Sequence, residues 1–540
     1  DMIISMEFYK GGFPSEYTHR LSSVLKVVTK DGNKNSFGGK AAISLLTAKL
    51  LLEGPIPSGS FIISGRKNYS DVVLKKFRNN NSIPADFYDL FAKVNYSNND
   101  FMQDAKFSIS MFSSGDKIIN DNLKREDFKW DNRTFAFNYF QVSDSPLFYQ
   151  LDLSYTSFSG EKIPNLSGAK GLRNELSDFT MRLDFSYVYD SKDELAGGFK
   201  ISEVHTNLTL ENFRGQATST TARGVNVSAY AKYKILRSSI FGADVGARAH
   251  ATRFAGGGSS VFIEPRTSFT LRFIPEIALK GSWGIYMQDL STVSDENEVV
   301  SIFEPWIITP LYLKPSNAIH YISGLEITPA PNLSFNLEGY YKIMHDLAIV
   351  NDEKYFETDP DLIAGSGKAY GVEFEIKYQL DPFKFTGSYS WMRAFKDVRN
   401  VTYSPRYDSR NNVNLSLETD LGSGWAASAV WSYTSGLPFT QIAAYYDRLT
   451  IDQLANNHFL LDSYNPFVLL GQINTGQLPD YHRLDLSLSK KIQINRLKML
   501  VDISVLNVYN RNNLFYFRRD TGERVNMLPF LPSINFKVEL

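Results

Sequence analysis

The feature that most constrains this chain is an alternation of apolar and polar side chains that returns in segment after segment. A strand with that period turns odd and even residues to opposite faces. From Phe179 to Asp190 one face carries Phe179, Met181, Leu183, Phe185, Tyr187 and Tyr189, and the other carries Thr180, Arg182, Asp184, Ser186 and Asp190, with Val188 the exception. Leu484, Leu486 and Leu488 alternate with Asp485, Ser487 and Ser489, and Val372, Phe374, Ile376 and Tyr378 alternate with Glu373, Glu375 and Lys377. Marking such segments from Ser36 onward predicts about 22 strands.

The links between these strands are sorted by length. Tight links recur at Pro57-Ser58-Gly59, Asn98-Asn99-Asp100, Asp144-Ser145-Pro146, Lys192-Asp193-Glu194, Arg237-Ser238, Pro275-Glu276, Pro329 to Asn332, Asp381-Pro382, Gly422-Ser423-Gly424 and Asn495-Arg496. Long links fall between them, at Arg66 to Asp86, Gly115 to Asp131, Gly160 to Glu175, Leu290 to Asn317, Asn351 to Gly367 and Gly436 to Pro479, whereas the first link, near Thr47, is short. A soluble sandwich has alternating strands too, but it has no reason to sort its loops. A transmembrane barrel does, with short turns at one end and long loops at the other. In hydrocarbon every backbone donor and acceptor must be paired within the protein, so the sheet closes, apolar outside and polar inside.

Composition enters here. Aromatic residues make up 14% of the 540, and Tyr187, Tyr189, Trp391, Trp425 and Trp431 suit girdles at the membrane interfaces. The longest apolar stretch, Ala41 to Ile56, is broken by Ser44, Thr47, Lys49 and Glu53, which excludes spanning helices. With 57 Lys+Arg against 58 Asp+Glu the formal net charge is −1, so nucleic acid is not an expected partner. Zero cysteines remove disulfides, thiolate metal sites and cysteine nucleophiles. The start, Asp1-Met2-Ile3-Ile4, shows no signal peptide and reads as that of a fragment or processed chain.

Catalytic chemistry is not expected. His19, His205, His250, His320, His345, His458 and His482 are dispersed, with no paired spacing for a metal; Gly365-Ser366-Gly367 and Gly256-Gly257-Gly258 read as loops rather than as a nucleophile elbow or phosphate cradle. No cofactor and no metal are expected. Asp152, Arg182, Asp184, Glu326, Glu338, Glu373, Glu375, Lys377 and Asp485 should face the lumen, as a solvated wall gripping its contents more than as substrate contacts. Ligand contacts are expected on loops: Phe439, Tyr445, Tyr446, Asp447 and Arg448, with His458, Phe459, Tyr464 and Phe467 in the same loop, and more weakly Trp306, Asp352, Tyr355 and Phe356. Loop-on-loop packing would use the same aromatic residues. Tyr69 to Phe77 has the spacing of a short helix.

A barrel of this size has a lumen wide enough to need a plug. Met2 to Asp31 precede the first spanning strand, with runs Met2 to Tyr9 and Leu21 to Thr29 around a Gly-Gly-Phe-Pro loop. The stretch YKGGFPSEYTHRLSSVLKVVTKDGN, Tyr9 to Asn33, resembles the end of the plug of TonB-dependent outer-membrane receptors of the Bacteroidota type. Lys10, Gly11, Gly12, Tyr17, Arg20, Leu21 to Val28 and Thr29-Lys30 carry the likeness, while Thr18 and His19 stand where glycines are usual. LLEGPIPSGSFIISGR (Leu51 to Arg66), SGLPFT (Ser435 to Thr440), LPDYHRLDLSLSKKI (Leu478 to Ile492), NVYNRNNLF (Asn507 to Phe515) and the closing LPFLPSINFKVEL are also similar, the last ending in Leu540 where Phe is usual.

The resemblance implies an all-β protein: a transmembrane antiparallel barrel of about 22 strands over 34–540, with a remnant of the N-terminal plug domain at 1–33. It implies location in the cell outer membrane among lipid, import of a ligand by TonB-coupled active transport, and no enzyme activity. The signal peptide, TonB-contacting box and most of the plug would lie outside these residues. The ligand stays open among siderophore, cobalamin, oligosaccharide and peptide. The rival reading is a plugged barrel serving as a docking platform for a surface lipoprotein or secretion partner.

Overall fold

The computed structural model describes residues 2–69, 85–120, 123, 125–143, 145–166, 171–211, 217–254, 259–294, 296, 302–351, 353–354, 356, 358–446, 467–517 and 522–540. Among these residues every regular element is a strand. Neighbouring strands are antiparallel, and the sheet closes: Gly38–Ser44 pairs with Thr47–Ile56 on one side and with the last strand, Leu531–Glu539, on the other, Lys40 facing Glu539. Twenty-two strands complete the circuit, with the three-residue Val401–Tyr403 paired to the end of Phe383–Val398 as an annex. Closure leaves no unpaired edge, which is what a sheet in hydrocarbon requires.

The tight links fall where their turn residues put them, between consecutive strands, although Asp144 itself lies outside the described residues. Ser58 (φ 56°), Lys192 (φ 69°), Ser423 (φ 52°) and Asn495 (φ 53°) take the left-handed backbone that a close strand reversal demands. The long links are shorter than expected. Asp127–Val142, Leu172–Val188 and Leu362–Leu380 all begin inside stretches expected to be loop. Strands such as Ala217–Ile235 and Leu362–Leu380 reach 19 residues, about twice what crossing a bilayer takes. Beyond the membrane both faces are wet, so alternation fades while the hydrogen-bond ladder continues. Of the expected helix at Tyr69 to Phe77, all but Tyr69 lies outside the described residues.

The two faces separate as the alternation predicts. Phe179, Phe185, Tyr321, Leu486, Leu488, Ile534 and Phe536 all point outward and are exposed although apolar. Trp425 stands beside the tight Gly422-Ser423-Gly424 turn with the Lys490 ammonium 4.9 Å from its ring, and Trp391 sits level with Asn411, where the adjacent strand begins. Such amphipathic rings at strand ends fit a membrane interface. Separate from the barrel, Ile3–Tyr9 and Val24–Thr29 form a two-stranded antiparallel sheet.

Candidate functional site in the lumen

Six adjacent wall strands bring one residue each into a continuous inward row: Lys232, Gly246, Arg266, Gly284, His320 and Lys342, each the register partner of the next. Arg248 and Glu264 face one another a step above it. The loop between the two N-terminal strands lies along this row. Arg266 donates to the carbonyls of Pro14 (2.8 Å) and Tyr17 (2.6 Å), Arg248 to that of Ser15 (2.8 Å), and Lys342 to that of Lys10 (2.7 Å). His320 Nε2 is 2.7 Å from the Leu21 carbonyl, and Lys232 pairs with Glu16 at 2.9 Å. A buried loop cannot leave its carbonyls unpaired, and here charged wall donors satisfy them.

Small residues permit the approach. A side chain at Gly246 would begin 2.6 Å from Ser15 Oγ, and Gly12 combines a φ of +62° with a Cβ position 2.2 Å from Ser282 Oγ. An apolar cluster joins loop and wall: Phe13, Leu21, Tyr286 and Ala318, with the Phe13 and Tyr286 rings 4.3 Å apart and the Arg266 guanidinium 4.4 Å from the Tyr286 ring.

The expected loop residues Lys10, Gly11, Gly12, Tyr17 and Arg20 are all in this interface. Lys10 pairs with Glu373 on Leu362–Leu380, the wall strand next to that of Lys342. The Tyr17 ring lies 5.4 Å from that of Tyr9, and burial pushes its hydroxyl above the ordinary phenol range. Arg20 donates to the His19 carbonyl at 2.7 Å, and burial draws its guanidinium below its usual value. His19, where glycine was the expectation, holds a left-handed φ of 58°. Its Nδ1 is 2.9 Å from Asp289 Oδ1 and its ring centre 4.4 Å from that of His250. Burial pushes the His19 imidazole below its ordinary pKa. Burial alone would raise Asp289, but the hydrogen bond with His19 keeps its carboxyl low. Sequence reasoning missed His250, Asp289 and the basic row; its one available signal was the histidine in a glycine's place.

Asp289 also begins a segment that crosses the long-loop end. Leu290–Thr292 pairs with Trp306–Ile308, and the Asn174 side chain brackets the Trp306 backbone, accepting from its N–H (2.8 Å) and donating to its carbonyl (3.0 Å). On the opposite side Glu296 binds Lys396, the Arg406 backbone and Asn474, while Glu304 pairs with Arg406. This strap ties both sides of the mouth.

The other expected ligand contacts are described only in part, and Tyr446 is the register partner of Phe467. Phe439 packs edge-on against Phe517 at 5.1 Å, Tyr445 is exposed, and Tyr446 ends the short strand Ile442–Tyr446. Asp447, Arg448, Asp352, Tyr355, His458, Phe459 and Tyr464 lie outside the described residues. The lumen charges largely pair with one another, Arg182 with Asp184 (2.5 Å), Lys377 with Glu375 (2.7 Å), Arg483 with Asp485 (2.7 Å) and Lys280 with Glu326, as a solvated wall would.

Residues 52–510 match the family model described as TonB dependent receptor-like, beta-barrel. Comparison with curated protein sequences finds no match. Among solved structures, the FrpB iron transporter from Neisseria meningitidis is similar with a TM-score of 0.71 at 11% identity, over 100% of this chain and 87% of that one. The ferripyoverdine receptor of Pseudomonas aeruginosa bound to ferripyoverdine gives 0.69 at 11% identity, over 96% and 73%. The alcaligin outer membrane receptor FauA from Bordetella pertussis gives 0.65 at 12%, over 100% and 82%. At such identities the likeness is one of fold.

Proposed function

Because the chain belongs to the TonB dependent receptor-like β-barrel family, we propose that it is a receptor that imports a ligand by TonB-coupled active transport. A closed 22-strand barrel of this family is an outer-membrane protein, with its outward apolar face against lipid. In this reading residues 1–33 are the last part of a plug and 34–540 the barrel. The motif around Tyr9 to Asn33 supports the Bacteroidota form. The exposed apolar side chains Ile4, Met6, Phe8 and Leu25 on the N-terminal sheet suit a surface on which the rest of a plug packs.

One observation carries the proposal: the lumen is occupied by a loop held chiefly through hydrogen bonds from wall side chains to its backbone and an ion pair to its Glu16 side chain. Such contacts can be exchanged for water without exposing much apolar surface, so a pull relayed through TonB could free the passage and let it re-form. The strap and neighbouring loops would hold the ligand first. A ferric siderophore is the first class to test, since the similar solved structures include an alcaligin receptor and a receptor bound to ferripyoverdine; cobalamin, oligosaccharide and peptide follow. The role is transport, not catalysis.

These 540 residues contain no cysteine, so a pair introduced here is the only bridge that can form within them. In the full-length protein, Glu16→Cys with Lys232→Cys is bridged by a reducible bifunctional thiol reagent. Growth of the deletion strain on each ligand class as the limiting nutrient should be rescued by wild type, blocked by the bridge and restored by reduction. Uptake that ignores the bridge would overturn the transport reading and favour a docking platform, whose lipoprotein partner should co-purify whether or not the loop is locked.

A further inference from the structure

We propose that His19, His250 and Asp289 form a binding site for a divalent first-row transition-metal ion of the Zn²⁺ type. The inference stands on side-chain geometry and does not rest on the transport reading. One ligand atom from each of the three residues lies within 4.8 Å of the others. Their side chains are 9%, 0% and 2% exposed. His19 Nε2, both ring nitrogens of His250 and Asp289 Oδ2 are buried without a hydrogen-bond partner. Buried polar atoms are normally paired, and each of the three side chains keeps an unpaired atom with which it could bind a cation held between them.

The donor set narrows the ion. Two imidazole nitrogens and one carboxylate oxygen suit zinc and its neighbours, whereas calcium and magnesium take oxygen ligands. Three protein ligands leave a fourth position open. Glu264 stands behind His250, Oε1 to Nδ1 at 3.7 Å, in the place of a carboxylate that orients a ligating ring. Its own charge is balanced by Arg266, 2.5 Å away, which leaves Asp289 as the anion facing the two rings. The strained left-handed φ of 58° at His19 is a further sign, since an unfavourable backbone persists where the surroundings hold its side chain to a purpose.

The three ligands come from the N-terminal loop, the wall strand Phe241–Phe254 and the root of the strap. An ion there would clip loop, wall and strap together, and its loss would loosen all three.

The test uses the full chain in detergent, stripped with a chelator, dialysed, and titrated with Zn²⁺. Calorimetry and elemental analysis should give one ion per chain. His19→Gly is the decisive variant, because it lies outside the barrel strands and supplies the residue that the backbone prefers: the barrel should stay heat-modifiable on gels while Zn²⁺ affinity falls at least a hundredfold. His250→Gln and Asp289→Asn should behave alike, and the outward His205→Gln should bind as wild type does. Zn²⁺ should also slow tryptic cleavage within residues 2–33 of the wild type and of no ligand variant. The proposal fails if the wild type takes up no zinc, or if His19→Gly binds it equally well, and the cluster is then a water-filled polar pocket.

Discussion

On the strand Ser259–Ile274, Val261 and Ile263 point out of the barrel at 70% and 69% exposure, while Glu264 and Arg266 point in at 1% and 4%. The apolar pair is open and the charged pair is sealed, the reverse of a soluble protein. Outside, lipid accepts any residue of the right polarity, so these positions answer to a solvent. Inside, each charge answers to a particular partner: Arg266 to Glu264, Pro14 and Tyr17, and Arg248 to Ser15 and Ser228. Outward residues should therefore be interchangeable within a class, and inward ones should not.

The largest expected effect comes from Arg266→Ala. It strips two loop carbonyls of their donor and leaves the Glu264 carboxylate buried and unpaired, at a cost of about 3–5 kcal/mol. Proteolysis of residues 2–33 should accelerate by two or more orders of magnitude while the barrel keeps its heat-modifiable migration. A barrel that fails to close instead would break the distinction between the faces, since Arg266 would then serve the wall itself.

Leu486→Arg probes the outer face. Leu486 stands mid-strand in Tyr481–Ile494 and is exposed on the outer face, and a cation at the bilayer midplane costs about 2–4 kcal/mol. Folding into vesicles should weaken by that amount, with docking of the N-terminal loop unchanged; Leu486→Val should do little.

The smallest effect sharpens the comparison through pH. Asp31 binds Lys93 at 2.8 Å and also Lys106. Partial burial works against ionisation, but the two lysines hold the carboxyl below its usual range. Because its folded pKa is depressed, the contribution is full above the ordinary carboxylate pKa and is lost only as pH falls through the lower folded value. With about a third of the group exposed, it is worth about 1 kcal/mol or less. Release of the N-terminal segment, followed by pepsin cleavage across acid pH, should show one step that Asp31→Asn abolishes.

Much of this was open to reading along the chain. Tight turns at Ser58, Lys192, Ser423 and Asn495 and outward faces at Phe179, Leu486 and Phe536 follow from contacts between residues close in sequence, or from the single rule that lipid meets the apolar face. Strand ends near Asp127, Leu172 and Leu362 were misjudged because that rule stops at the membrane boundary. Aromatic composition does not say whether a loop ring faces a ligand or another ring, and Phe439 meets Phe517.

What the sequence determined by itself is the barrel: alternation selects strands, link lengths sort the two ends, and hydrocarbon forces closure. What only the tertiary structure decided is the company kept inside. The row from Lys232 to Lys342 exists because register aligns six strands, and His19 meets Asp289 across 270 residues because the loop threads back into the lumen. Periodicity tells which way a side chain points, but the partner it finds depends on where closure brings distant strands, and no local pattern encodes that distance.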